Sequence, residues 1–281
     1  MILSKISAIY DAILCSIQIA VAQKSKKLIK RNLELKGQYS GRIFIFYTGS
    51  SINSHNISLL KNEYSMGVNT FFLHPDYSDL NVDFFAFPTN WNYFKLYILS
   101  WFVDICFSKS KKGMISFFNT SASFYLKNKP QIEYRDVEKK WPKKGDIYYV
   151  YSSGKFDTLG SVNGNIDQPC NILNGSLYFS ISLAVYLGFT EVYLMGADYT
   201  IEPFCSGHFY DGMHTCKDKS KPNDNHPEYL GAYKVMRNKQ SVINEYAKSL
   251  NVSIFNVVEK GCTSKVFNPV NYEDIEGLIS E

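Results

Sequence analysis

Residues 174–200 read Asn-Gly-Ser-Leu-Tyr-Phe-Ser-Ile-Ser-Leu-Ala-Val-Tyr-Leu-Gly-Phe-Thr-Glu-Val-Tyr-Leu-Met-Gly-Ala-Asp-Tyr-Thr, and the reading of this stretch decides the fold. It predicts a small-residue turn, a nearly all-apolar helix that stops at Gly188, and a buried strand from Glu191 to Met195 that opens at Gly196 onto Asp198. A helix apolar around most of its girth is buried on several sides, and Val192, Tyr193, Leu194 and Met195 in a row make a strand covered on both faces. Those are the central pieces of an α/β sandwich. Ligands of open parallel sheets bind just beyond the carboxyl ends of the strands, so Gly196, Asp198, Tyr199 and Thr200 fall where chemistry is expected. Glycine and aspartate are equally the residues of an ordinary turn.

Outward from this centre the same alternation continues. On the amino-terminal side, Arg42 to Tyr47 predicts a first strand running into Thr48-Gly49-Ser50-Ser51-Ile52-Asn53. Such a turn offers backbone N–H groups and hydroxyls to an anion, with Gly49 allowing close approach. It is not a Walker loop, and it lacks the full Gly-x-Gly-x-x-Gly of dinucleotide folds. A short helix at Ile57 to Lys61, a strand at Val68 to Leu73 and a third strand at Asp83 to Phe87 come next. Asn69 within that apolar run must be hydrogen-bonded, either to a neighbouring loop or to a ligand. Trp91 to Phe107 predicts an aromatic helix with a basic end, Gly113 to Phe118 and Asp146 to Tyr151 predict further strands, and Lys127 to Lys144 is a charged surface excursion. Beyond the centre, residues 201–228 form a long irregular segment holding His208, His214 and His226, and irregular segments of this length are usually lids or binding loops. Helical spacing returns at Tyr229 to Leu250, then a strand at Val252 to Val257 and a terminal helix near Glu273.

The chain has 281 residues, enough for one large domain or one domain with a lid. Its charge of +4 is not gathered into a stripe, which excludes nucleic acid as the expected partner. The 21 tyrosines and 20 phenylalanines suit a site that stacks on rings or sugars and suit an aromatic core equally. Six cysteines scattered without metal-ligand spacing, and no cleaved secretion signal, predict reduced thiols in the cytoplasm. Residues 1–40 form an N-terminal helical extension. Its apolar run Ile6 to Ala22, broken by Asp11 and Gln18 and followed by Lys24, Lys26, Lys27, Lys30 and Arg31, fits peripheral contact with an anionic membrane or a helix packed on the domain. Residues 41–281 form the main domain.

Several of these segments together resemble a known group. The turn before the apolar helix and Leu-Gly-Phe-Thr-Glu-Val-Tyr-Leu-Met-Gly-Ala-Asp-Tyr (187–199) resemble the bacterial sialyltransferases that decorate lipooligosaccharide, and the wider MptE-like (6-hydroxymethylpterin diphosphokinase-like, DUF115) proteins. Gly49-Ser50-Ser51-Ile52 is similar to their Gly-Pro-Ser-Leu turn, with Ser50 in the place of proline. Asn69-Thr70-Phe71 is similar to their Asn-x-Phe. Ser206-Gly207-His208-Phe209-Tyr210, and Ile254-Phe255-Asn256 with Phe267-Asn268-Pro269, are similar to the wider set's His-Phe and Asn-to-Phe-Pro signatures. The resemblance runs from Arg42 to the end.

The resemblance implies a single Rossmann-like domain, a mostly parallel sheet with helices on both faces and a lid. It implies transfer of a sugar from a CMP-activated acidic donor, sialic acid-like or Kdo-like, to a lipid-linked or oligosaccharide acceptor of bacterial surface polysaccharide at the inner membrane face. Neither metal nor cofactor is implied, since the CMP-sugar is the substrate, and no Asp-x-Asp occurs in the chain. By this carry-over Gly49, Ser51 and Asn69 contact the nucleotide, with Ser50 beside them, and Asn174, Gly175 and Ser176 sit at the helix start near it. Asp198 and Tyr199 border the reacting centre, next to Gly196 and Thr200 at the strand end, and Tyr199 or Tyr210 hydrogen-bonds the phosphate. The chain departs from the sialyltransferases at one place: their base histidine matches Ala232. The base then falls to His208, with His226 second. Two other readings stay open, a diphosphokinase using ATP and magnesium and a non-catalytic nucleotide-sugar-binding protein, and a homo-oligomer is an open option.

Overall fold

The computed structural model describes residues 29–88, 104–119, 146–152, 162–168, 170, 172, 175–201 and 227–280. The extension before residue 29, most of the 91–107 helix, the 127–144 excursion and nearly all of the 201–228 segment lie outside them. Among the described residues, eight strands form one parallel sheet: β1 Arg42–Phe46, β2 Ser65–Val68, β3 Phe84–Phe87, β4 Ile115–Asn119, β5 Asp146–Val150, β6 Glu191–Met195, β7 Ser253–Val258 and β8 Asn268–Asn271. Their spatial order is β5-β4-β3-β2-β1-β6-β7-β8, so the direction of winding reverses between β1 and β6. At such a reversal the two flanking loops leave on opposite faces and a crevice opens between them.

Helices α1 (Ser176–Leu187) and α2 (Pro227–Ser249) cover one face, and α3 (Tyr272–Ser280) with the 3-10 turns between Ser50 and Ser78 covers the other. Alternation along the strands divides the core accordingly: Ile43 and Ile45 face the α1 side, while Phe44 and Phe46 face the α3 side. Burial on both faces is what a parallel sheet requires and why its strands read as continuous apolar runs. The helix α1 buries every residue except Ser176 and Val185, as its all-round apolarity demands. The last carbonyls of α1 have no partner within the helix. Gly37 N–H donates to Tyr186 O at 3.0 Å and Tyr39 N–H to Leu187 O at 3.0 Å, so the segment before β1 closes the helix end. Nearby, Asn32 is fully buried and its amide donates to Tyr149 O and Ile166 O, pinning residues 31–35 over the far edge of the sheet.

Two local expectations are corrected. The predicted strand Val68 to Leu73 is instead β2, Ser65–Val68, followed by a turn at Asn69 with φ 56° and a 3-10 turn Phe71–Leu73. Asparagine tolerates the left-handed conformation better than most residues, and turning there sends Phe71 into the core to stack on Phe46 at 4.9 Å. The short edge strand β8 is not anticipated by the sequence reading, since its residues are mostly exposed and carry little apolar periodicity.

Candidate active site

The crevice at the reversal is bounded by the loops leaving β1, β2 and β6 and by the start of α1. After β1 the chain continues in register through Tyr47, whose N–H donates to Met195 O at 2.8 Å, and through Gly49, whose N–H donates to Gly196 O at 2.9 Å. These bonds carry the β1–β6 pairing past the formal strand ends. A methyl group on Gly49 would overlap Asp198 Cγ and Gly196 O, so only glycine permits this approach. The turn Ser50–Ser54 then leaves the sheet.

Asp198 is buried, with 3% of its surface exposed, and its carboxylate is occupied by that turn. Oδ2 accepts from Ser51 N–H at 3.1 Å and from Ser50 Oγ at 3.2 Å, and Oδ1 accepts from Ser51 Oγ. In the sequence the Ser50–Ser51 donors are open to a phosphate; in the folded chain a carboxylate from the neighbouring loop takes them. Asp198 thus acts here as a clamp between the β1 and β6 loops. Thr200 is fully buried and turns its hydroxyl back onto Ala197 O at 2.6 Å, closing the short helical turn Asp198–Thr200.

The other predicted residues meet at the start of α1. Asn69, just past β2, donates its side-chain amide to Ser176 Oγ at 2.8 Å. Gly175 is the N-cap residue, with φ 141° and no side chain of its own to bond the first-turn N–H groups. A helix start headed by glycine presents N–H groups and a partial positive charge, the usual receptor for an anion. Tyr199 comes over from the β6 loop, its hydroxyl near the Leu177 backbone in the first turn of α1. Burial raises its pKa well above the usual tyrosine value, with Tyr47 and Tyr178 nearby adding to the effect, so it stays a neutral hydroxyl. Tyr47, which the sequence reading treats only as a strand end, buries its hydroxyl 2.5 Å from Ser180 Oγ on α1, and burial raises its pKa as well.

The fold therefore gathers Gly49, Ser50, Ser51, Gly196 and Asp198 into one bonded unit, and Asn69, Gly175, Ser176 and Tyr199 into another beside α1. Asn174, His208, Tyr210 and His226 lie outside the described residues. A histidine that the sequence reading passes over, His55, ends the Ser50–Ser54 turn, stacked on Tyr272 at 4.4 Å with Nε2 buried and without a partner. No motif surrounds it, so nothing in the sequence could have singled it out. The buried thiols of Cys106 and Cys170 are pushed up to about 12 by burial, which leaves them protonated and poor nucleophiles. Among the described residues no three His, Cys, Asp or Glu side chains gather to hold a metal ion, and no helix is long and apolar enough to cross a membrane.

No protein-family model matches the chain, and no curated protein sequence matches it. Similar solved structures include the monofunctional α-2,3-sialyltransferase Cst-I from Campylobacter jejuni, with a TM-score of 0.42 and 16% identity over 76% of this chain and 74% of that one. Another is the MAf glycosyltransferase from Magnetospirillum magneticum AMB-1, with a TM-score of 0.48 and 12% identity; the match covers 92% of this chain and 41% of the longer one.

Proposed function

We propose that the chain is a glycosyltransferase that moves an acidic sugar from a CMP-activated donor, sialic acid-like or Kdo-like, to a hydroxyl of a lipid-linked or oligosaccharide acceptor in bacterial surface polysaccharide. The observation that carries this reading is the glycine-capped start of α1 at the winding reversal, with Asn69, Ser176 and the neutral Tyr199 hydroxyl around it. Glycosyl transfer from a CMP-sugar needs a receptor for the departing phosphate, a base for the acceptor hydroxyl and exclusion of water. The first turn of α1 supplies the receptor. The phosphate sits there rather than on Ser50 and Ser51, because an anion on those donors would stand against the Asp198 carboxylate. In this reading His208 is the base and His226 its alternate. The enzyme works without a metal in the cytoplasm, at the inner membrane face.

Thermal shift with CMP, UDP, GDP and ATP, each with and without magnesium, tests the donor. CMP is expected to raise the melting temperature without magnesium, since a ligand at 100 times its Kd stabilises by about 2.7 kcal/mol. A shift seen with ATP only when magnesium is present would replace this reading with the diphosphokinase one. His208→Ala is expected to abolish transfer with the melting temperature unchanged, and full activity in that variant would remove the assigned base. CMP binding with no transfer to any acceptor would leave a non-catalytic binding protein, the reading that Ala232 keeps alive.

A further inference from the structure

Two amide side chains on the α1 side of the sheet have no hydrogen-bond partner at either end. Asn256 of β7 is 0% exposed and Gln240 of α2 is 1% exposed, and the amide nitrogen and oxygen of both are unpaired. Buried polar groups are bonded in the great majority of cases, because each orphan loses its water and gains nothing. Four such atoms in one layer call for an occupant.

The two side chains share one place. Val252 and Ile254 belong to the α1-side core with Ile243 and Ala247 of α2, whereas Phe255 and Val257 point to the other face, so the alternation turns Asn256 toward α2. The chain reverses where Val252 N–H meets Ala247 O at 2.9 Å. From there the helix climbs about 10 Å back to Gln240 at 1.5 Å per residue, and the strand climbs about 13 Å to Asn256 at 3.3 Å per residue. The amides therefore stand at nearly the same height where α2 packs on β7. Ser264, whose buried Oγ is also unpaired, lies two residues before Val266, whose carbonyl is held by Asn244 one turn along α2 from Gln240. In register, Asn256 lies beside Leu194 of β6, two residues before Gly196 opens the candidate site.

We infer that Asn256 and Gln240 form the sugar-recognising wall of the transferase site, an inference that rests on the function proposed above. Each amide offers one donating and one accepting end and no charge. That combination matches neighbouring hydroxyls on a sugar ring and is poorly matched to a phosphate, which wants donors only. Enclosure between α2 and β7 also keeps water from an activated sugar. Entry requires this part of α2 to part from β7.

The test uses the full chain as wild type, Asn256→Leu and Gln240→Leu, with CMP, CMP-N-acetylneuraminate and free N-acetylneuraminate as probes in thermal shift and calorimetry. Removing an unpaired buried amide for an apolar group of similar size leaves stability unchanged or raises it, which separates loss of binding from loss of folding. The expected result is about tenfold weaker binding of CMP-N-acetylneuraminate in each variant, with CMP itself altered less than about twofold. Equal affinity for the donor in wild type and both variants would overturn the inference, leave the transferase reading intact and identify the amides as holders of internal water. If no nucleotide binds the wild type, the transferase reading fails. The sugar site then stands only if free N-acetylneuraminate shifts the wild type and not the variants, and is overturned otherwise.

Discussion

Replacing Asp198 separates a clamp from a spectator. Its carboxylate takes three hydrogen bonds while 3% exposed, and only one of the three donors is a backbone N–H. Hydroxyl groups can reverse, so in Asp198→Asn the Ser51 hydroxyl can accept from the new amide while the remaining oxygen keeps Ser51 N–H. The loss is then the charge-assisted part of the bonding, about 1–2 kcal/mol. Asp198→Ala leaves Ser51 N–H without a partner at a buried site, about 1–3 kcal/mol, and loses the bonds to the charged group besides, for a total of about 3–5 kcal/mol. For a chain of this length about 2 °C accompanies each kcal/mol, so melting falls by about 2–4 °C in the asparagine variant and about 6–10 °C in the alanine variant. Urea denaturation read by circular dichroism measures both, with an unchanged m-value as the check that the unfolded state is comparable. Equal stability of the alanine variant and wild type would refute the clamp. Equal loss in both variants would refute the argument that the serine hydroxyl can turn.

The remaining predictions concern the frame. Gly188→Ala places a Cβ against Tyr39 O and the Gly37 backbone at a residue with φ 109°, and is expected to destabilise by about 3 kcal/mol or more, seen as a lower urea midpoint. Burial holds His55 below the usual histidine value against the opposing pull of Glu259, Glu273, Asp198 and Glu276, and holds His74 below it against Asp76. The unfolded chain therefore binds more protons in this range, so the stability these neutral rings contribute is whole above about pH 6.5 and is lost as pH falls toward their folded values. Melting temperature is expected to drop between about pH 7 and pH 5, and His55→Phe, which keeps the stack on Tyr272, is expected to flatten that slope.

The course of the chain was largely legible in its residues, because fully buried parallel strands and an all-apolar helix leave continuous runs that no surface element tolerates. The helix stopping at Gly188 and the strand Glu191–Met195 stem from local chemistry, whereas Gly49 is required by the approach of Asp198 and Gly196 O from far along the chain. The ends of elements were less legible. Asn69 sits in an apolar run that reads as strand, and it turns because Phe71 finds Phe46 in the core, a partner distant in sequence. Edge strand β8 is mostly exposed and carries no period to read.

What the sequence determined alone was composition along each element: which faces must leave water, and which loops can approach an anion. Which donors remain open was decided only by tertiary structure, because hydrogen bonding is settled between groups far apart in the chain. Ser51 and Asp198 are 147 residues apart, and their meeting turns a presumed phosphate cradle into a clamp. Asn256 and Gln240 look like ordinary polar residues on a strand and a helix until packing closes over them and leaves their amides facing one another's layer with nothing to bind.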